Sequence, residues 1–506
     1  MNILPKQRLS PAFNQTLSRL LYLAILVTSI VISLKVHLLA DLRLPPPWPD
    51  ESAYLWQAIN IAQHNTMFAP QLNPQRIIMW TVPGYQIFMG MVFKLAPFSL
   101  QAARAVSWVL TLISYLGLLW LFRRHFARTL VLMAASLFYL GAAFTVLGNT
   151  ARMEPLLLLL AIAGFVSLDA GRPYRALALL LLCPLVHPNG AIFLVAGLAY
   201  ILGKRLYRSP APRSDRVLVA LGLLAVAAYG VFAILHWQAL LSDVGSQFSD
   251  KAKNYSMLVT LLKPGVLSSV VLVMSVSALH VLLLRKVQPL VVLSLALLLP
   301  QLVADELFYG VYTNIAYLTA LPLAMDVLAH IIRRWKPRHQ VVLGSALSIL
   351  LAVALLAVAR HINFVESPIG YPHHVTFAGM RLSVRQPYLT PEDKAVVLQA
   401  VQTQLAGSVG RRVQFYPAAD GLLFWPEQGR DFLPYQPIDS DVPPDAVVLH
   451  MSWYFPDWWQ MPSWSPLAGW WYTAQDLMAE FQISNADIVR QRDQTEIWYV
   501  KRSPQR

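Results

Sequence analysis

"AARAVSWVLTLISYLGLLWLFRRHFAR", residues 102–128, decides the fold class. No Asp, Glu, Lys or Arg falls between Arg104 and Arg123. About 20 apolar residues in a helix cross a hydrocarbon core about 30 Å thick. The run then stops at Arg123, Arg124 and Arg128, the kind of basic cluster that stays on the cytoplasmic side of a bilayer.

The same alternation of apolar run and basic cluster recurs outward from this stretch. Further clusters are Arg172 and Arg175, residues 204–216, Arg285 with Lys286, and residues 333–338. The chain has 506 residues, is 56% hydrophobic and carries 13% charged residues, with mean hydropathy +0.50. A soluble domain carries about 25% charge. The net charge of +14 sits in these short clusters, which fits orientation in a membrane rather than binding of nucleic acid. The lone Cys183 excludes an intrachain disulfide and reads as a small apolar core residue. The first run, 17–40, follows Lys6, Arg8 and Arg19, is too long for a signal-peptide core and reads as a retained span.

With basic clusters in the cytoplasm, about eleven spans are expected: 17–39, 102–122, 129–147, 156–168, 174–186, 191–202, 217–237, 265–284, 289–303, 312–332 and 341–359. Residues 1–360 form the membrane domain, with the N-terminus cytoplasmic and 41–101 as a long first external loop. Two stretches of that loop, "ESAYLWQAINIAQH" and "VPGYQIFMGMVFKLAP", are amphipathic and too short to span, so they are expected to lie in the interface plane. A polar loop is expected after residue 237, reaching Lys263. Residues 361–506 differ in kind. "PEDKAVVLQAVQTQLA" and "AQDLMAEF" predict helices, while "RRVQFYP", "DAVVLH" and "ADIVRQRDQTEIWYV" predict strands, the last as two with a polar turn. This is a small external α/β domain. The expected architecture is thus a polytopic α-helical membrane protein with a C-terminal α/β domain on the outside.

Acids are scarce, yet Asp50 and Glu51 stand side by side in "PPPWPDESAYLWQ". Asp50 reads as the N-cap of the helix that follows, and equally as a carboxylate held at the membrane surface to accept a proton. The turn "GNTARMEP" brings Arg152 and Glu154 to the same face, where ionisable groups mark function. Arg76, Lys94, Arg104 and His187 add cations there, each able to snorkel and together able to hold an anion such as a phosphate. A third acidic pair, Asp305 and Glu306, has no evident partner. Eight tryptophans occupy the external domain: Trp425, Trp453, Trp458, Trp459, Trp464, Trp470, Trp471 and Trp498. They read as an interfacial belt, with stacking on sugar rings as the alternative. No P-loop, dinucleotide fingerprint or Cys/His metal spacing is present.

The order "PDESAYLWQAI", "VPGYQIFMGMVFKL", "SLQAARAVSWVL", "LFRRHFAR", "GNTARMEPLLLLL" resembles the membrane-embedded C-type glycosyltransferases, in the branch of bacterial relatives of protein O-mannosyltransferases and the lipid A aminoarabinose transferase. The resemblance covers roughly residues 17–189 well and later spans loosely. It implies inverting transfer of a sugar from a polyprenyl-phosphate donor to a lipid, glycan or protein acceptor, outside a cell inner membrane. It further implies Asp50 as the catalytic carboxylate with Glu51 beside it, and Arg152 and Glu154 as the second charged turn. Arg104 then opens the second span, and His187 stands where relatives carry a Lys near the donor phosphate. Where relatives carry a Lys before the loop proline, "WTVPGY" has none, and Arg76 stands as its substitute. The Arg of a late Arg-Tyr segment is Ala316 here. A divalent metal could bridge Asp50 and Glu154 to the donor, but the sequence does not demand one. A transporter or flippase of a lipid-linked or anionic solute is the alternative from another class, and a catalytically dead scaffold is a third.

Overall fold

The computed structural model describes residues 11–40, 49–73, 76–79, 82–123, 128–208, 210–254, 264–303, 309–332, 375–377, 380–382, 391–406, 411–416, 418–424, 432–434, 443–451, 473–491 and 497–503. The helical part runs α1 Pro11–Ala40, α2 Pro49–His64, α3 Gly84–Leu95, α4 Leu100–Phe122, α5 Arg128–Leu140, α6 Ala142–Gly148 and α7 Glu154–Asp169. It continues with α8 Pro173–Val186, α9 Gly190–Gly203, α10 Arg213–Leu235, α11 Trp237–Asn254, α12 Pro264–Leu284, α13 Pro289–Val303 and α14 Tyr309–Ile332. The expected eleventh span, Asp305, Glu306 and seven of the eight tryptophans (all but Trp498) lie outside the described residues.

The helix α4 illustrates how the bundle is built. Ser99 caps it by accepting the Ala102 N–H at 3.0 Å. Arg104, Ser107, Thr111 and Ser114 recur at helical spacing and are buried. Val109, Ile113, Leu116 and Trp120 face outward. The small polar groups satisfy themselves locally, with Thr111 donating to Ser107 O at 2.7 Å and Ser114 to Leu110 O at 2.8 Å. A polar stripe turned inward and an apolar face turned outward invert the pattern of a helix in water. The helix α10 is more extreme, since Leu224 is 65% and Ile234 71% exposed. These two helices, of 23 residues each, are the ones long and apolar enough to cross a membrane among the described residues. Shorter apolar helices include α8 and α9, of 14 residues each.

Polar contacts give the bundle two distinct ends. Arg123 at the close of α4 pairs with Asp169 at the close of α7 at 2.8 Å, and Arg175 early in α8 pairs with Asp215 early in α10 at 3.2 Å. The opposite end carries the start of α4, the start of α7 and the close of α8. Two glycines allow close approach there. A Cβ on Gly84 would stand 2.4 Å from Leu185 O, so α3 starts directly on the end of α8. A Cβ on Gly190 would stand 2.1 Å from Cys183 O, so α9 folds back on α8. Cys183 is buried, as its apolar setting implies.

Three expectations are corrected. The stretch read as one span over 129–147 is two helices, α5 and α6, interrupted at Gly141. The polar stretch after residue 237 is the 18-residue helix α11, and its Asp243 pairs with Arg76 of the first loop. The polar side of α2 packs inside the protein, where an amphipathic helix on an interface would turn it to water. Gln57 and Asn60 are buried, with Gln57 Nε2 donating to Ile78 O at 3.0 Å and Asn60 Nδ2 to Trp56 O at 2.8 Å. By contrast α3 keeps Ile87, Met91 and Leu95 exposed along one face.

The C-terminal part holds a hairpin, β1 Val375–Phe377 with β2 Met380–Leu382, and a five-stranded sheet. Its elements are α15 Pro391–Leu405, β3 Arg412–Tyr416, α16 Ala418–Gly421, β4 Leu433–Pro434, β5 Ala446–Met451, α17 Ala474–Glu480, β6 Ile488–Gln491 and β7 Ile497–Arg502. The order is β4-β3-β5-β7-β6, with β3 parallel to β4 and β5, and β7 antiparallel to β5 and β6. Alternate residues divide between two faces, as the two-residue period of a strand requires. Val413, Phe415, Val448, Trp498 and Val500 pack with Val397 and Val401 of α15. Tyr416, Val447, Leu449 and Tyr499 pack with Leu477 and Phe481 around α17. The result is the expected small α/β domain. It docks on α2 and the segment after it: Trp56 Nε1 donates to Ala418 O at 2.9 Å and Gln414 Nε2 to Gln71 O at 3.4 Å. The domain therefore sits at the end of the bundle that carries the first loop.

Candidate active site

The site is built where α2, α4, α7 and α8 meet. The helix α2 starts at Pro49, whose fixed φ suits a first helical position. Asp50 thus lies in the first turn rather than at the N-cap before it, because Pro49 already occupies the opening position. Its side chain falls outside the described ones, so its partners are not assigned.

Glu51 is fully buried and organises the cluster. Arg104 grips it with two bonds, Nε to Oε1 at 3.2 Å and the terminal nitrogen to Oε2 at 3.0 Å. The Ala151 N–H also donates to Oε1, at 2.6 Å. One carboxylate thereby ties three distant segments: first loop, α4 and the "GNTARMEP" turn. Three residues on from Ala151, Glu154 opens α7, and Arg152 reaches it by Nε at 3.2 Å and by a terminal nitrogen at 2.8 Å. Both members are buried. Charge at this depth persists only when paired and hydrogen-bonded.

His187 ends α8 in an extended conformation, with its N–H on Cys183 O at 3.1 Å. Its Nδ1 accepts the Asn189 N–H at 3.0 Å, which puts the proton of the neutral ring on Nε2. The ring is near enough to Glu154 to interact with it electrostatically.

Tyr85 was not singled out from sequence. It is completely buried on α3 and stands electrostatically between Glu51, Glu154 and Arg152, beside Ser107. Burial pushes its phenol far above the ordinary range; Ser107 pulls it back, and the two glutamates raise it further. It is a neutral hydroxyl at any physiological pH. The signal for it was the glycine before it, needed for contact with α8.

Other expected members are elsewhere. Arg76 is held by Asp243 of α11 through both guanidinium nitrogens, and the same carboxylate takes the Met79 N–H at 2.6 Å. Lys94 donates to Asn65 at the exposed end of α3. Of the eight C-terminal tryptophans, Trp498 is a core residue, stacked on His450 with ring centroids 3.7 Å apart.

Among the described residues no three His, Cys, Asp or Glu side chains converge as metal ligands. Both oxygens of Glu154 face the Arg152 guanidinium, a donor set that does not fit a divalent cation. No protein-family model matches the chain, and no curated protein does.

Proposed function

We propose that the chain is a membrane-embedded glycosyltransferase, resembling the C-type superfamily. It would use a polyprenyl-phosphate sugar donor and act at the external face of a bacterial inner membrane through about eleven spans. The observation that carries this reading is the convergence of Glu51, Arg104, Ala151, Arg152, Glu154 and His187 into one buried cluster. It lies at the end of the bundle opposite the arginines at 123 and 175.

In this reading an acceptor hydroxyl attacks the anomeric carbon, the bond to the donor phosphate oxygen breaks, and the phosphate keeps the electron pair. Asp50 takes the acceptor proton. Arg104, Arg152 and the Nε2–H of His187 would supply N–H donors to the departing phosphate, and burial makes such bonds stronger than they would be in water. Glu51 and Glu154 fix the two guanidinium planes, so no reorganisation is needed as charge develops.

Asp50→Asn tests it. Membranes supplied with lipid-linked sugar donor are expected to lose transfer by at least about 100-fold, the lower range for a general base. Full transfer by the folded variant removes Asp50 as the base and refutes the reading.

One observation favours the second reading, a transporter or flippase. His280 of α12 is wholly buried and faces Asp326 of α14 at 3.6 Å, far along both helices. Ionisable groups between membrane helices are common in proton-coupled carriers. Movement of lipid-linked solute across vesicles, without sugar transfer, identifies that activity.

A further inference from the structure

The strongest unexplained feature is the contact between the C-terminal domain and α2. Trp56 sits on α2 five residues after Glu51 and is buried to 3%. Its indole N–H donates to Ala418 O at 2.9 Å, at the start of the four-residue helix α16. At the close of the same helix Gly421 leaves just enough room for the ring, since a Cβ there would stand 3.1 Å from the Trp56 ring. The next residue, Leu422, belongs to the core of the helical bundle rather than to the domain's own core. Between these contacts lies Asp420, fully buried and bonded to His450 Nδ1 at 2.8 Å. His450 is in turn stacked on Trp498 of β7. The sheet thus anchors α16 through His450 and Asp420, and α16 anchors α2 through Trp56.

Five residues nearer its start α2 carries Glu51, which holds Arg104 and the Ala151 N–H. A helix transmits axial and rotational displacement along its length, because its hydrogen-bond ladder is stiff. We propose that α16 of the C-terminal domain is a positioning element for the Glu51 cluster, with Trp56 the positioning residue that couples them. The domain then controls transfer by setting α2, which is a separate role from binding an acceptor. Its catalytic consequence rests on the glycosyltransferase reading; the mechanical coupling does not.

Hydrogen–deuterium exchange on the full chain in lipid nanodiscs tests the coupling. Trp56→Phe keeps an aromatic ring and deletes the indole donor together with the ring edge that faces Gly421. Exchange is expected to rise about fivefold, the factor given by loss of one ordinary hydrogen bond, in α2 and also in the remote 149–152 turn. Gly421→Leu wedges the contact open and is expected to give a larger rise at the same two places. Faster exchange confined to 412–424 and to Trp56 itself, with the 149–152 turn as protected as before, overturns the proposal. If Gly421→Leu raises exchange throughout the chain, Trp56→Phe decides alone.

In the transfer assay Trp56→Phe is expected to lower kcat with KM for the lipid donor unchanged. A contact that serves only folding would lower the amount of active protein and leave kcat per folded molecule intact, and that result also overturns it. A wild-type chain that transfers no sugar refutes the function and leaves the exchange result to be read by itself.

Discussion

Replacing Glu51 by Gln isolates what the buried cluster contributes to stability. Glu51 is fully buried and Arg104 is 3% exposed, so neither charge is screened by water. The carboxylate accepts two bonds from Arg104, at 3.2 and 3.0 Å, and one from Ala151 N at 2.6 Å. The amide of Gln has one acceptor oxygen. If that oxygen stays with Ala151 and Arg104 Nε, the new NH2 group meets the terminal guanidinium nitrogen donor to donor. The charge on Arg104 is then left without its counter-ion. Breaking a buried pair from one side costs about 3–5 kcal/mol, a large part of the roughly 5–15 kcal/mol that holds a domain together. Arg104→Met alone should cost about the same, because it strands the carboxylate. The double variant Glu51→Leu/Arg104→Met should recover most of the loss, since apolar residues of similar volume replace such a pair at little cost. Denaturant titration of the detergent-solubilised protein, followed by size-exclusion profile, measures all three and closes the double-mutant cycle. A cost for Glu51→Gln below about 1 kcal/mol, the range of exposed pairs, would refute the claim that this pair is desolvated and structural.

Two further outcomes are expected. Gly84→Ala puts a Cβ against the carbonyl of Leu185, backbone that cannot swing aside, and should cost about 1–3 kcal/mol by the same titration; Gly230→Ala, with nothing within 4 Å, should be tolerated. In the C-terminal domain, burial raises the Asp487 carboxyl, but the Ser484 N–H and Lys501 outweigh that and hold it below its ordinary range. The stability it contributes is present above about pH 4 and lost as pH falls through the lowered folded value. Asp487→Asn should therefore flatten the acid limb of the domain's unfolding curve; an unchanged limb refutes the assignment.

Much of the helical frame was legible because its signal is one-dimensional. An apolar run that ends in arginine needs no tertiary information, and α4, α7, α8, α9 and α10 fall close to where such runs lie. The strands β3, β5, β6 and β7 were legible for the same reason, each alternating over a few residues between turn signals. Arg104, Arg152, Glu154 and His187 stood out as charges at the ends of apolar runs. The pairing was not legible. Glu51 could be told from Asp50 only by finding Arg104 and Ala151 beside it, 53 and 100 residues away. Arg76 is claimed by Asp243 of α11 across 167 residues. The burial of the polar side of α2 was not legible either, because Gln57 and Asn60 find Ile78 and Gln71 only once the loop has folded.

The unequal helix lengths have a mechanical consequence in a bilayer. The 23 residues of α4 and α10 reach about 35 Å, whereas the 14 of α8 and α9 reach about 21 Å, well short of an average hydrocarbon core of about 30 Å. On the proposed membrane-embedded reading, lipid beside two helices this short would have to thin to meet them. The thinning would fall at the close of α8, where His187 and the Arg152–Glu154 pair are. Acyl-chain length would then set how near headgroups come to the cluster, through two short helices that hold none of its carboxylates.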